Sequence, residues 1–152
     1  MAEDRAWCDF AATMLARRLE RMFAQKAGVL AADSVEPVHQ MRVWSRRSRA
    51  AYELLLSCDD SKESQKLEQE LKRIGNALAK ARDLDVMIDN LEARAAKLPE
   101  DQRVGIQSFV GRLSSQRLDA QDGVISAMHR IDHKHLEERF DALLTRRGKK
   151  GG

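Results

Sequence analysis

The residues best suited to chemistry lie in one short segment, PVHQMRVWSRRSRAAYELL, at positions 37–55. Their steps of three, four and three place an imidazole and three guanidinium groups on one face of a helix, over about 15 Å of its axis. No acidic residue occurs between Glu36 and Glu53, so nothing within the segment neutralises the row. The row consists of His39, Arg42, Arg46 and Arg49, with Arg47 on its shoulder.

Such a row is suited to binding anions, because guanidinium groups form charge-assisted hydrogen bonds with oxyanions. Like charges at i,i+4 repel each other, which an anion on this face would offset. On charge alone, however, a basic row is more often a solvated face, or pairs with acids of another helix. The charge pattern therefore leaves both interpretations open.

A second group of basic residues lies some thirty positions later. Lys72, Arg73, Asn76 and Lys80 follow helical spacing and precede Arg82 in the segment KARDLDV. If the two helices are neighbours, their basic stripes line one groove. A linear polyanion suits such a groove, and its affinity would come from many contacts and counterion release.

Helical periodicity runs through the whole sequence and predicts an all-α fold, an antiparallel four-helix bundle with a short C-terminal helix in HLEERFDALL. We expect a helical domain over residues 1–146 and a flexible basic tail over 147–152. The segment GVLAADSVEP is predicted to be a loop. The four main helices are predicted near residues 4–27, 36–57, 62–97 and 100–131.

Asp85 and Arg117 occupy apolar positions on the third and fourth helices. Antiparallel packing would bring them to the same height. One interpretation is a structural ion pair that fixes the register of the two helices. The other is that the apolar stripes drift, so that both side chains reach solvent; neither is favoured.

Charge, cysteine spacing and the motifs of the sequence limit the classes of function that we expect for this protein. The net charge is only +3, but Arg outnumbers Lys two to one. Cys8 and Cys58 show neither metal-ligand spacing nor a disulfide framework, which favours a cytoplasmic protein, and no segment resembles a signal peptide or membrane span. His129 and His133 make only a weak metal site. With no recognisable catalytic motif, we expect no enzyme activity, no metal and no cofactor.

The pattern H-x-x-R-V-x-x-R-R-x-R, followed by R-D-x-D-V, resembles the CHAD family, the conserved histidine α-helical domain. The first part covers His39 to Arg49 and the second covers Arg82 to Val86. The resemblance implies an all-helical domain that binds inorganic polyphosphate through basic residues of a groove. CHAD domains contain two four-helix bundles, and this chain resembles the first alone, so we expect a homodimer that completes the missing half.

Polyphosphate and nucleic acid are the two candidate ligands. Bases are usually recognised with the help of aromatic side chains, and only Trp44 and Tyr52 lie near the basic row. This favours a non-catalytic polyphosphate-binding module over a helical nucleic-acid-binding or adaptor protein. The candidate polyphosphate-binding residues are His39, Arg42, Arg46, Arg47, Arg49, Lys72, Arg73, Lys80 and Arg82.

Overall fold

The computed structural model describes residues 2–149, and these residues form helices and short connections without a strand. The prediction of an all-helical fold is confirmed. The helices are α1 (Ala2–Phe23), α2 (Lys26–Ala31), α3 (Glu36–Leu56), α4 (Lys62–Ala95), α5 (Glu100–His133) and α6 (Leu136–Lys149).

The segment predicted to be a loop begins with the last four residues of α2, and α1 ends four residues earlier than the sequence predicted. This helix buries Val29, and Ala32 ends it in a left-handed conformation with φ 55°. A Cβ atom on Gly28 would lie 2.9 Å from Pro37 Cγ, so α2 packs closely on the start of α3. A helix of only six residues is too short for its periodicity to be recognised in the sequence.

The long helices pack in chain order, α1 on α3, α3 on α4 and α4 on α5. The C-terminal helix α6 packs against α1, α4 and α5. Phe140 of α6 is buried, with its ring centroid 6.1 Å from those of Phe23 and Tyr52. The short C-terminal helix is therefore part of the core.

Cys8 and Cys58 form a disulfide, with their Cα atoms 5.9 Å apart. The expectation of two unpaired cysteines was wrong. Antiparallel packing brings the start of α1 beside the end of α3, a proximity that residues fifty positions apart do not reveal in sequence. Because disulfides persist mainly in oxidising compartments, the cysteines no longer support a cytoplasmic location.

The C-terminal helix continues to Lys149, so its backbone includes the first three residues of the predicted tail. Residues 150–152 of that tail lie outside the described part of the chain. Of the helices described, none combines the length and apolar composition needed to cross a bilayer.

Candidate functional site

The row of basic residues on α3 follows from the two faces of this helix. Val38, Met41 and Tyr52 are buried and fix one side of α3 in the core. The basic residues lie on an adjacent side, where Arg42 and Arg49 are half-buried and Arg46 is exposed. Pro37 lies in the first turn of α3, where a backbone N–H group would have no acceptor within the helix. Proline has no N–H group and therefore fits this position.

Helices α3 and α4 pack closely at Gly75. A Cβ atom at this position would lie 3.0 Å from Ser45 Oγ, 3.7 Å from Arg49 Cδ and 3.9 Å from Arg49 Nη1. Small residues on both helices therefore allow the close approach, and the Arg49 side chain crosses over Gly75. The unusual glycine inside α4 marks a packing contact at the centre of the basic row.

Arg42 contributes a buried polar atom without a partner. Its Nε is buried and finds no acceptor among the described residues; the Ser45 and Ser48 hydroxyls are likewise buried and unpaired. A buried donor without an acceptor costs about 1–3 kcal/mol. None of Arg42, Arg46 and Arg49 forms an ion pair within residues 2–149. These three arginines are therefore not paired with acids of another helix among the described residues, which leaves anion binding and a solvated face as the interpretations of the row.

The basic residues of α4 divide between two sides. Successive residues are rotated by about 100° around a helix, so Lys72 and Arg82 share the side of Gly75, which faces α3. In this antiparallel register, Arg82 lies near the level of His39. Lys72 Nζ, however, lies 3.1 Å from Glu68 Oε1, so its charge is already paired.

Arg73 and Lys80 point away from α3. The same rotation places Arg73 about 200° from Gly75, and Lys80 about 140° from it. Arg73 lies instead beside Glu70, where its positive charge adds to that of Arg130. Lys72, Arg73 and Lys80 share an arc of about 100°, as the sequence predicted, but the centre of this arc is turned away from Gly75. Only Lys72 and Arg82 therefore lie within about 60° of the side that faces α3.

Arg47 also belongs to a different surface. Its guanidinium carbon lies 4.7 Å from the centroid of the Trp44 ring, and that of Arg21 in α1 lies 4.9 Å from the same centroid. Arg18 Nη1 donates a hydrogen bond to the Arg47 carbonyl oxygen at 2.7 Å. The sequence analysis missed Arg18 and Arg21; basic residues at 17, 18 and 21, spaced as on one helical face, were the available signal.

Asp85 and Arg117 form the ion pair that was one of the two interpretations. Arg117 Nε donates to Asp85 Oδ1 at 2.7 Å, and Arg117 Nη1 donates to Gln121 Oε1 at 2.8 Å. The Asp85 side chain is only 8% exposed, and the Arg117 side chain is 16% exposed. This pair joins α4 to α5 and lies in their interface, so its role is structural.

Further ion pairs join α6 and α5 to α4. Arg130 binds both carboxylate oxygens of Glu70, at 2.6 and 2.7 Å, which lowers the pKa of Glu70. Arg139 Nε donates to Glu63 Oε1 at 2.7 Å. The exposed His129 and His133 take no part in these pairs, and within residues 2–149 no cluster of three metal-ligating side chains is found.

This geometry, a histidine and unpaired arginines at a close helix crossing, can now be compared with known proteins. The family model of the CHAD domain matches residues 13–151. The chain belongs to the CHAD family. No curated protein and no solved structure matches the chain. The close α3–α4 crossing thus lies within a CHAD domain, and the family match extends over both helices and the hairpin that follows.

Proposed function

We propose that this CHAD domain is a non-catalytic module that binds inorganic polyphosphate along α3. The observation that carries the proposal is that Arg42 and Arg49, both half-buried on α3, form no ion pair within residues 2–149. A phosphate bound along this face would offset the repulsion between the like charges of the row. Membership of a family associated with polyphosphate supports polyphosphate as the anion.

The site is a row of point contacts along a helix, which suits a ligand with many equivalent charges. His39, Arg42, Arg46 and Arg49 follow the α3 axis over about 15 Å, and Arg82 adds a charge from α4. His39, next to guanidinium groups, acts as a hydrogen-bond donor to an oxyanion in this proposal. No step of bond making or breaking is assigned to it.

The aromatic residues favour polyphosphate over nucleic acid. Tyr52 is fully buried, and its hydroxyl donates to the Ser64 carbonyl oxygen at 2.7 Å; burial raises the pKa of Tyr52 to about 12. Trp44 is half-buried and holds two guanidinium groups against its ring. Neither ring is free to stack on a base, which is how single-stranded nucleic acids gain much of their affinity.

The deciding experiment is a competition between polyphosphate and single-stranded RNA at matched ionic strength. We expect polyphosphate to displace RNA, and its affinity to fall steeply with added salt. The double variant Arg42→Ala/Arg46→Ala should bind polyphosphate at least about tenfold more weakly, since about 1.4 kcal/mol suffices for that loss. Stronger binding of RNA than of polyphosphate would favour the nucleic-acid alternative.

A matched control removes two positive charges elsewhere. Lys62→Ala/Lys66→Ala changes exposed residues in the first turns of α4, outside the basic row. This control should lose little affinity. An equal loss in both double variants would indicate a diffuse charge effect, and an unchanged affinity of the folded Arg42/Arg46 variant would reject the site.

A homodimer is a second part of the proposal. Exposed apolar residues of α5 are candidates for its contact, but Phe109 and Leu118 are nine residues apart and project from opposite sides of this helix. Leu118 is 72% exposed and lies on the same outer side as the exposed Val104. We therefore place the contact on this side, where Leu118→Glu should shift a dimer to monomer in light scattering. A monodisperse wild-type monomer at tens of micromolar would contradict the dimer.

The Cys8–Cys58 disulfide bears on the cellular location of the protein. A cytoplasmic location was inferred from unpaired cysteines, and the disulfide removes that support. Rapid alkylation of thiols in intact cells would decide between the compartments. A cytoplasmic protein should label at Cys8 and Cys58, whereas protection of both residues would indicate an oxidising compartment.

A further inference from the structure

A second cluster of arginines lies on the other side of α3, against α1. We call it the Trp44 cluster; it contains Arg18, Arg21, Arg47 and Trp44. Both Arg21 and Arg47 contact the indole ring, and the hydrogen bond from Arg18 to the Arg47 carbonyl ties α1 to α3. The ring thus holds two guanidinium groups from different helices in defined positions, as cation–π contacts do.

The charge of this cluster is not compensated. Within residues 2–149, none of Arg18, Arg21 and Arg47 takes part in an ion pair. The guanidinium carbons of Arg21 and Arg47 lie less than 10 Å apart, because each is within 5 Å of the same ring centroid. That separation is about one Debye length at 0.1 M salt, so the charges act together on an anion.

Arg46 connects this cluster to the groove. It is exposed and lies about 40° around α3 from Arg42, and Arg47, also exposed, follows at about 100°. The basic surface therefore continues from the α4 side of α3, over the exposed side of that helix, to α1. With helix axes 8–10 Å apart, the path from α4 to α1 is about 16–20 Å.

We propose that a long polyphosphate chain leaves the basic row of α3 over Arg46 and continues onto the Trp44 cluster. This inference rests on the proposed function and adds chain-length selectivity to it. A short anion occupies only one of the two basic surfaces, whereas a long chain contacts both and releases more counterions. Arg18, Arg21 and Arg47 are thus specificity-determining contacts for long chains.

Trp44 provides a direct spectroscopic probe of the cluster. The chain contains two tryptophans, and Trp7 is 47% exposed near the start of α1. In a Trp7→Phe variant, all tryptophan emission comes from Trp44. We expect long-chain polyphosphate to change this emission at saturation, because the ligand draws Arg21 and Arg47 away from the ring. Tripolyphosphate, which carries only three phosphates, should change it much less.

Affinity provides the second readout. In the full-length chain, Arg21→Ala should weaken binding of long-chain polyphosphate about fivefold and leave tripolyphosphate binding unchanged. Arg5→Ala is the matched control, because it removes the same charge from the same helix about 24 Å away; it should alter neither ligand.

The outcomes separate the two proposals. If calorimetry detects polyphosphate binding but Trp44 emission is constant, or if Arg21→Ala and Arg5→Ala have equal effects, the Trp44 cluster is not a contact and the groove alone binds. If calorimetry detects no binding of either polyphosphate, the proposed function fails together with this extension.

Discussion

Arginines on two surfaces of the molecule differ in whether they form ion pairs. On the side formed by α4, α5 and α6, Arg117, Arg130 and Arg139 each bind a carboxylate of α4 at 2.6–2.7 Å. On the side formed by α1 and α3, the arginines of the basic row and of the Trp44 cluster form no ion pair within residues 2–149. The first set joins helices, and the second remains available to an anion.

The sequence around an arginine therefore does not show whether it joins two helices through an ion pair or remains available to an anion. Arg130 and Arg49 both lie in helices, three positions from another basic residue or a histidine. Only the facing helix distinguishes them, because α4 offers Glu70 to Arg130 but Gly75 to Arg49. On the α1–α3 side, a disulfide and stacked side chains hold the helices together in place of ion pairs.

The largest effect is expected where the disulfide fastens α1 to the end of α3. Replacing both Cys8 and Cys58 by Ser should lower the free energy of unfolding by up to about 4 kcal/mol, since the bond closes a loop of some fifty residues. Denaturant unfolding of this variant and of the reduced wild-type protein should agree. Identical unfolding curves of the oxidised and reduced wild type would show that the crosslink contributes nothing.

Breaking the buried ion pair between α4 and α5 should have the next largest effect. Asp85→Ala leaves the Arg117 guanidinium unpaired at only 16% exposure, at a cost of about 3 kcal/mol. Asp83→Ala, which removes an exposed carboxylate two residues earlier, should cost less than about 0.5 kcal/mol. If thermal unfolding gives equal losses for both, the pair does not fix the register.

The Glu70–Arg130 pair predicts a dependence of stability on pH. Hydrogen bonding to Arg130 holds the pKa of Glu70 below its ordinary 4.5, so its contribution is complete above that value. The contribution disappears as the pH falls through the lowered native pKa. Because Arg130 is 36% exposed, we expect only about 1 kcal/mol.

The measurement is urea unfolding between pH 2 and pH 7 for the wild type and Glu70→Gln. The variant should be less stable at pH 7 and should lose less stability on acidification. If the free energy of unfolding of the variant falls as steeply with acidification as that of the wild type, the pH dependence arises from other carboxylates.

The long helices could be predicted from sequence because their apolar stripes persist over many turns. The predicted bounds of α3, 36–57, differ from the observed Glu36–Leu56 by a single residue. Helix α2 was missed because it is held by one buried side chain, Val29, and by its fit against Pro37. Such tertiary contacts leave no periodic signal.

The candidate site was predictable on one helix and not on its neighbours. The steps from His39 to Arg49 determine which side of α3 they share, whatever packs against it. The rotation of α4 separates Arg73 and Lys80 from that side, and the contact of Arg21 with Trp44 depends on how α1 crosses α3. Contacts between helices depend on the fold, so the spacing of residues within one helix could not predict them.

The smallest effect on the free energy of unfolding is expected when arginines of the basic row are replaced, in contrast to Asp85→Ala. Arg42→Met/Arg46→Met removes two charges but keeps side chains of similar length over the α3 surface. We expect the free energy of unfolding to stay the same or rise by a few tenths of a kcal/mol, because like charges at i,i+4 repel each other. Removing the unpaired Arg42 Nε from its buried position acts in the same direction.

Calorimetric or denaturant unfolding without polyphosphate would measure this change, with Arg130→Met as the paired counterpart. Arg130→Met should be destabilising, because it leaves Glu70 without its bidentate partner. With polyphosphate added, the wild type should gain stability in proportion to ligand binding, and the Arg42/Arg46 variant should gain little. A loss above about 1 kcal/mol in the ligand-free double variant would mean that these arginines stabilise the fold after all.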